Sequence, residues 1–269
     1  MLSTSTQILR LSQGHLNLLA ACPRKFQHSY LEQLNTPLDP KHEEYQILGS
    51  RFHLLMQQKE MGLPIDSLLQ TDHRLQNWMT DFTKIAPDIF TPDPDNQTFR
   101  ESEHYRTLQI GDYLLTVIYD LLIADQYQAQ ILDWKTNPQP PKPKILAQNW
   151  QTRLYLYVLA ETSNYLLENI SMTYWFVQSK GKTQNIKFIY NEKKHQKTAE
   201  DLNQLLNNFT EWVNNYQYHN ISFPQIAESS KICESCQYAV RCHRQKIKEV
   251  TENTYSQFPS LENIQEVSL

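Results

Sequence analysis

Apolar side chains in the first third of the chain recur every three to four residues, the spacing of one helix face. Residues 12–32 predict two short helices: Ser12 suits the N-cap of the first, and Pro23 the first turn of the second, which carries Phe26, Tyr30 and Leu31. Residues 42–61 predict a longer helix with Ile47, Leu48, Phe52, Leu55 and Met56 on one side, and 66–84 predict a further one. The Pro, Asp and Asn of APDIFTPDPDN, 86–96, predict a loop. The pattern then changes. Segments 99–109, 113–124 and 129–134 are rich in β-branched and aromatic residues and predict strands, with a turn at Ile110-Gly111-Asp112. The middle one, YLLTVIYDLLI, is nearly all apolar, as expected of a strand covered on both faces. NPQPPKPK, 137–144, predicts a loop, 145–162 a helix, 170–178 and 184–190 strands, and 196–216 a long helix. Helices, a β-meander, then helix, two strands and helix predict a mixed α/β fold, a central mixed sheet flanked by helices. No internal repeat is visible. The expected organisation is a single domain over 1–245 with a helical insertion at 36–98, a cysteine-bearing cap at 223–245, and a tail at 246–269.

Composition narrows the class. The chain has 269 residues, enough to bury a substantial core, with 40% apolar and 20% charged residues. No apolar run approaches the ~20 residues of a membrane span. The first residues lack a basic start followed by a compact apolar block, so a cytoplasmic location without membrane contact is expected. The net charge of −4 counts mildly against a nucleic-acid partner, but a carboxylate-lined metal site adds negative charge that bound cations offset. Basic clusters occur locally at Arg24 and Lys25, Lys142 and Lys144, Lys180 and Lys182, and from Arg241 to Lys248.

The candidate chemistry centres on Ile131-Leu132-Asp133-Trp134-Lys135. Strand alternation puts Asp133 and Lys135 on one face and Trp134 on the other. Such a pair is often a plain ion pair. Asp120, however, lies in the preceding apolar strand, where an unpaired charge is costly. A hairpin of about a dozen residues can bring it beside Asp133. Two carboxylates so placed repel unless a cation lies between them, and Mg²⁺ or Mn²⁺ takes such ligands while retaining waters. One water can act as nucleophile while the ion stabilises charge on a phosphate. Lys135 can orient that water or neutralise the developing charge.

Asp120 followed by Asp133-Trp134-Lys135 resembles the core motif of the PD-(D/E)XK nucleases, in particular their RecB-like branch. That resemblance implies a restriction-endonuclease-like sheet and a metal held by Asp120, Asp133, His53 and the Trp134 backbone carbonyl. His53 enters through Gly49-Ser-Arg-Phe-His53, which matches the branch's Gly-x-x-x-His helix; Gly49, one turn away, leaves room for close approach. A lone helical His is otherwise more often structural. Glu101 or Glu103, in FRESEHY, matches an accessory upstream acid. Gln151-Thr-Arg-Leu-Tyr155 matches a Gln-x-x-x-Tyr motif whose two side chains share a helix face and can reach the site or DNA. Asp120, Asp133, Lys135, Gln151 and Tyr155 are thus the expected catalytic set. One departure is Val117, where the family usually has Gly before the first Asp.

The chain has four cysteines, Cys22, Cys233, Cys236 and Cys242. Disulfides do not suit a cytoplasmic protein. A Cys₄ zinc site is the rival reading, but zinc modules usually draw a second C-x2-C from nearby. Four thiolates also suit a [4Fe–4S] cluster. An early Cys before Pro with C-x2-C-x5-C near the end resembles the iron–sulfur nucleases of the AddB and CRISPR-associated kinds, which implies a cluster on all four. Such a cluster acts as a clip that closes most of the chain into one loop, and Cys22 near a helix N-terminus gains thiolate character.

The implied function is a Mg²⁺- or Mn²⁺-dependent deoxyribonuclease, an exonuclease on DNA ends or single strands in repair or recombination. The alternatives are a non-catalytic DNA-binding scaffold of the same fold and a CRISPR spacer-processing nuclease. No G-x-x-x-x-G-K-[ST] helicase motif occurs in the chain, so unwinding requires a helicase partner; the spacer-processing reading requires an integrase complex.

Overall fold

The three β-rich segments form the meander that their β-branched and aromatic content and the Ile110-Gly111-Asp112 turn predict. The computed structural model describes residues 8–34, 40–90, 98–178 and 183–244. Strands β2 (Phe99–Ile110), β3 (Tyr113–Ala124) and β4 (Ala129–Lys135) run antiparallel in turn. Gly111, at φ 56°, adopts the left-handed backbone of the β2–β3 turn. A parallel neighbour, β5 (Ile170–Phe176), follows β4, and an antiparallel β6 (Gln184–Ile189) follows β5. A short strand, β1 (Leu9–Leu11), pairs in parallel with β3 and completes a six-stranded mixed sheet. Three residues are too few for alternation to announce β1 in the sequence.

Before β2 come α1 (Gln13–Ala21), α2 (Pro23–Phe26) with a π turn after it, α3 (Pro40–Glu60), α4 (Asp66–Gln70), α5 (His73–Ile85) and α6 (Pro87–Phe90). After β4 come α7 (Pro143–Gln148) and α8 (Trp150–Glu161), and after β6 the long α9 (Glu192–His219). The single helix predicted over 66–84 is two, because Asp72 caps a fresh start by accepting the Arg74 N–H. The helix predicted over 145–162 divides at Asn149, which closes α7 and caps α8 through the Gln151 N–H. The loop predicted over 86–96 begins with the helical turn α6; residues 91–97 lie outside the described residues. Helix α9 outruns the predicted 196–216 because Asn191 caps it early and Asn220, in left-handed backbone, ends it.

Helices cover both sheet faces. On one, α1, α8 and α9 bury Leu16, Leu154, Val158, Leu202 and Phe209 against Leu115, Val117, Tyr119, Ile131 and Met172. On the other, Leu48, Phe52, Leu55 and Met56 of α3 and Leu75, Met79 and Phe82 of α5 pack on Leu121, Leu132 and Trp134. Ile47, expected with this group, is instead 55% exposed, since the buried stripe of α3 runs through Leu48 and Phe52. The apolar β3 is covered on both faces only in its C-terminal half: Leu121 and Leu122 are both buried, whereas Ile118 is exposed between buried Val117 and Tyr119. Among the described residues no helix is long and apolar enough to cross a membrane.

The chain forms two compact units, Met1–Pro224 and Gln225–Leu269. Within the second, residues Lys231–Ser235 form a 3-10 turn carrying Cys233, and Arg244 hydrogen-bonds Gln225 Oε1 and the Ile226 carbonyl. The tail 246–269 lies outside the described residues.

Candidate metal centre

Strands β3 and β4 pair only from Leu121↔Leu132 to Ala124↔Ala129. One step beyond the Leu121↔Leu132 pair, Asp120 and Asp133 face each other in register where the pairing has ended. The Asp120 side chain replaces the missing ladder bond: its Oδ2 accepts the Trp134 backbone N–H at 2.6 Å. On its other side, β3 pairs with β2 throughout except opposite Asp120, where Glu103 stands. Glu103 has φ 52°, left-handed backbone that side chains other than Gly rarely adopt. The ribbon changes face at this step. Tyr119 packs with α8 below it in sequence, yet beyond Asp120 it is Leu122, not Leu121, that joins that layer.

The face change turns Glu103 and Asp120 toward α3. Gly49 allows α3 to approach closely: a Cβ there lies 3.1 Å from Thr136 Oγ1, just past β4. His53, one turn along, lies with Nδ1 3.3 Å from Asp120 Oδ1 and Nε2 3.0 Å from the Trp134 carbonyl oxygen. Ligand atoms of His53, Glu103 and Asp120 all lie within 4.8 Å of one another. An imidazole nitrogen with two carboxylates is a donor set that suits Mn²⁺ or Mg²⁺. Of the two candidate upstream acids it is Glu103 that joins this group. Glu101 faces the other way, and its Oε2 meets His104 Nδ1 at 2.6 Å. Arg106 Nε donates to His104 Nε2 at 2.9 Å, and its guanidinium also bonds the Thr162 carbonyl and hydroxyl at the end of α8. This chain braces the strand immediately beside Glu103. No local sequence pattern marks it, since the brace depends on the face change.

Asp133 stands beside the group and is buried (1% exposed). Its carboxylate contacts Lys135 Nζ through Oδ1 and accepts from Gln151 Nε2 at 2.7 Å through Oδ2. Asn149 fixes the first turn of α8 and so aims Gln151 at Asp133. Tyr155, one turn further, is buried beneath, and its ring lies 5.2 Å from that of Tyr119. Tyr119 donates to the Tyr155 carbonyl. Lys135 Nζ also sits 5.4 Å over the Tyr174 ring. Trp134 points to the opposite face, edge-on to Phe82 at 5.4 Å. Val117 is a buried core residue on the α8 side of β3.

These contacts set the electrostatics. Burial raises the Asp133 carboxyl, and Lys135 opposes that. Burial alone lowers Lys135, but the carboxylates of Asp133 and Asp120 outweigh it and hold the ammonium charged. Glu103 is raised by burial and by the nearby Asp120. For His53, burial lowers the affinity for a proton, and the hydrogen bond and charge of Asp120 together with Asp133 overcome it, so the net direction is up. Crowded carboxylates that hold protons, and an imidazole drawn to them, form a site short of positive charge.

The expected cysteines divide between the two units, Cys22 in the first and Cys233, Cys236 and Cys242 in the second. Cys22 is the N-cap of α2, with Pro23 in the first turn. In the second unit the Cys236 N–H bonds the Cys233 carbonyl at 3.3 Å and the Cys242 N–H bonds the Tyr238 carbonyl at 3.0 Å. All four cysteines are partly buried. Lys142 stands at the N-cap position of α7 and Lys144 lies in its first turn; Lys180, Lys182 and the basic run beyond Arg244 lie outside the described residues.

A family model described as the PD-(D/E)XK nuclease superfamily matches residues 10–243. The fold is similar to a crystal structure from Eubacterium rectale described as a "Putative exonuclease": the TM-score is 0.50 at 11% sequence identity, covering 95% of this chain and 96% of that one. A solved structure of SSO0001 aligns with a TM-score of 0.38 at 12% identity, over 88% of this chain and 87% of that one. No curated protein sequence matches the chain.

Proposed function

Since the chain belongs to the PD-(D/E)XK nuclease superfamily, we propose that it is a Mg²⁺- or Mn²⁺-dependent deoxyribonuclease of the RecB-like branch, acting as an exonuclease on DNA ends or single strands in repair or recombination. The observation that carries this reading is the end of β3 and β4 where their pairing stops. There His53, Glu103 and Asp120 converge within 4.8 Å beside the Lys135–Asp133–Gln151 contact. A scaffold without catalysis has no need of a buried carboxylate held by a lysine at the edge of such a group.

His53, Glu103 and Asp120 would hold the ion, with Asp133 and the Trp134 carbonyl completing the donors on its β4 side. When bound, the ion supplies Lewis-acid activation of a phosphate and of a water. The chain's own residues do the rest. Gln151 fixes the rotamer of Asp133 through Oδ2, which would leave Oδ1 for the ion and Lys135 for the reacting phosphate. The Lys135 ammonium, kept charged by the carboxylates, stabilises negative charge as it develops on the phosphoryl oxygens. Tyr155, buried one turn after Gln151 on α8 and packed against Tyr119, anchors that turn of the helix, so it is a positioning residue. Cys22, Cys233, Cys236 and Cys242 would supply four thiolates for a [4Fe–4S] cluster with a structural role, Cys22 from the N-cap position of α2. Unwinding, where needed, falls to a helicase partner.

The test is cleavage of 5′- and 3′-labelled single- and double-stranded DNA with Mg²⁺ or Mn²⁺. Metal-dependent, progressive shortening from an end is expected. Internal cuts alone would replace the exonuclease assignment. No cleavage of any DNA, with tight DNA binding, would make the chain a scaffold.

A further inference from the structure

The α3–α5 layer covers only part of its sheet face. Beyond Asp120, Leu121 and Ile123 pack beneath it. Before Asp120 no helix among the described residues packs on the same face. Leu115, Val117 and Tyr119 are buried on the opposite side, so Thr116 and Ile118 project here. Ile118 is 45% exposed, and Tyr105, its register partner on β2, is 51% exposed. Next along lies the pair Thr107↔Thr116, and then Arg10 of β1 opposite Leu114. Arg10 shares this face because its neighbour Leu11 is buried on the other.

Single exposed apolar side chains are ordinary on a protein surface. Here an aromatic and a β-branched residue stand directly cross-strand, both half-exposed. They begin one strand repeat, about 7 Å, from Glu103 and Asp120. Running from the carboxylates, the face presents the exposed aromatic–aliphatic pair, two partly buried threonines, of which Thr116 donates to the Leu11 carbonyl, and the exposed Arg10, over about 20 Å of strand. Rings and apolar faces stack on unpaired bases, and hydroxyls and Arg bind phosphates. A duplex keeps its base faces stacked inside and cannot offer them.

We propose that the Tyr105–Ile118 face binds unpaired nucleotides of the substrate strand next to the scissile phosphate. The proposal rests on the nuclease reading of the adjoining carboxylates and names the form of DNA that the site takes. The occupant is a polynucleotide strand and not a protein segment, because the face runs without interruption from the metal-competent group to a cation at its far end.

The experiment uses the full chain with Tyr105→Ala, Ile118→Ser and the double variant. Tyr127→Ala, at a 70% exposed position in the β3–β4 turn, is the control. Binding of a fluorescent oligothymidylate is read by anisotropy in Ca²⁺, and cleavage by KM and kcat in Mn²⁺. The double variant is expected to bind the single strand about tenfold more weakly, since base stacking on a protein ring is of that order. KM should rise with kcat and Mn²⁺ affinity unchanged, and a blunt duplex should be affected less. Unchanged single-strand affinity overturns the proposal, as does an equal loss for the blunt duplex. A changed oligomeric state with unaltered DNA binding also overturns it and assigns the face to protein contact. Absence of metal-dependent cleavage by the unsubstituted protein would instead fail the nuclease reading, while the anisotropy series would still judge the face.

Discussion

Glu103 holds left-handed backbone at φ 52°, a conformation costing a non-glycine residue on the order of 1 kcal/mol. Strain of this kind at a strand interior is kept where neighbours enforce it, and here the Glu101–His104–Arg106 chain does so. Glu103→Gln should lower Mn²⁺ affinity and cleavage strongly, whereas Glu101→Gln should lower them little; calorimetric Mn²⁺ titration separates the two, and equal effects would contradict the assignment. Sequence could not choose between these acids. Strict alternation puts Glu101 and Glu103 on one face, and the choice follows from the change of face at Glu103 and Asp120. Asp133 and Lys135 were easier to read, since alternation and hairpin length alone set them beside Asp120. The pH behaviour follows from the same contacts. Glu103, Asp133 and His53 all hold protons to higher pH than usual. A divalent ion must displace those protons, so Mn²⁺ affinity should fall by about tenfold or more from pH 8 to pH 6. Without metal, groups raised in the folded state make stability fall as pH rises through their folded values. Denaturation midpoints between pH 5 and 8 should show that fall, and Mn²⁺ should remove it.

Helix α3 brings His53 to the sheet, and its approach depends on Gly49. Gly49→Ala gains helix propensity of about 1 kcal/mol but sets a Cβ 3.1 Å from Thr136 Oγ1. Stability should change little while Mn²⁺ affinity drops several-fold, and adding Thr136→Ala should restore it. Unchanged affinity in Gly49→Ala would show that helix approach does not set the His53 position. Phe82 of α5 backs Trp134 and Trp175; Phe82→Ala should cost about 3–5 kcal/mol in denaturant unfolding. The helices were legible because their period persists over many residues, and the meander because of its β-branched and aromatic content and its Gly111 turn. Breaks at Asp72 and Asn149 were not, because each is made by one side chain accepting a backbone N–H. That no described helix packs over Ile118 was also illegible, since an apolar run does not tell which part of a strand the helices cover.

At the scale of the whole chain, the early Cys22 and the late Cys233, Cys236 and Cys242 belong to different compact units. One cluster on all four would close most of the chain into a loop and remove unfolded-state entropy. Protein purified without oxygen should be brown and contain iron, and Cys22→Ser should bleach it and lower the melting temperature. Equimolar zinc without iron would make the clip a structural zinc site and leave the nuclease centre standing. The central claim is that the end of β3 and β4 where their pairing stops is a metal-dependent nuclease centre, and it is tested most directly by one comparison. The unsubstituted protein and Asp133→Asn are assayed side by side on end-labelled single-stranded DNA with Mn²⁺ and with EDTA, after circular dichroism shows equal folding. Cleavage by the unsubstituted protein in Mn²⁺ alone, reduced at least about a hundredfold in Asp133→Asn, is the predicted result. Equal cleavage by the two proteins, or cleavage that persists in EDTA, would contradict it.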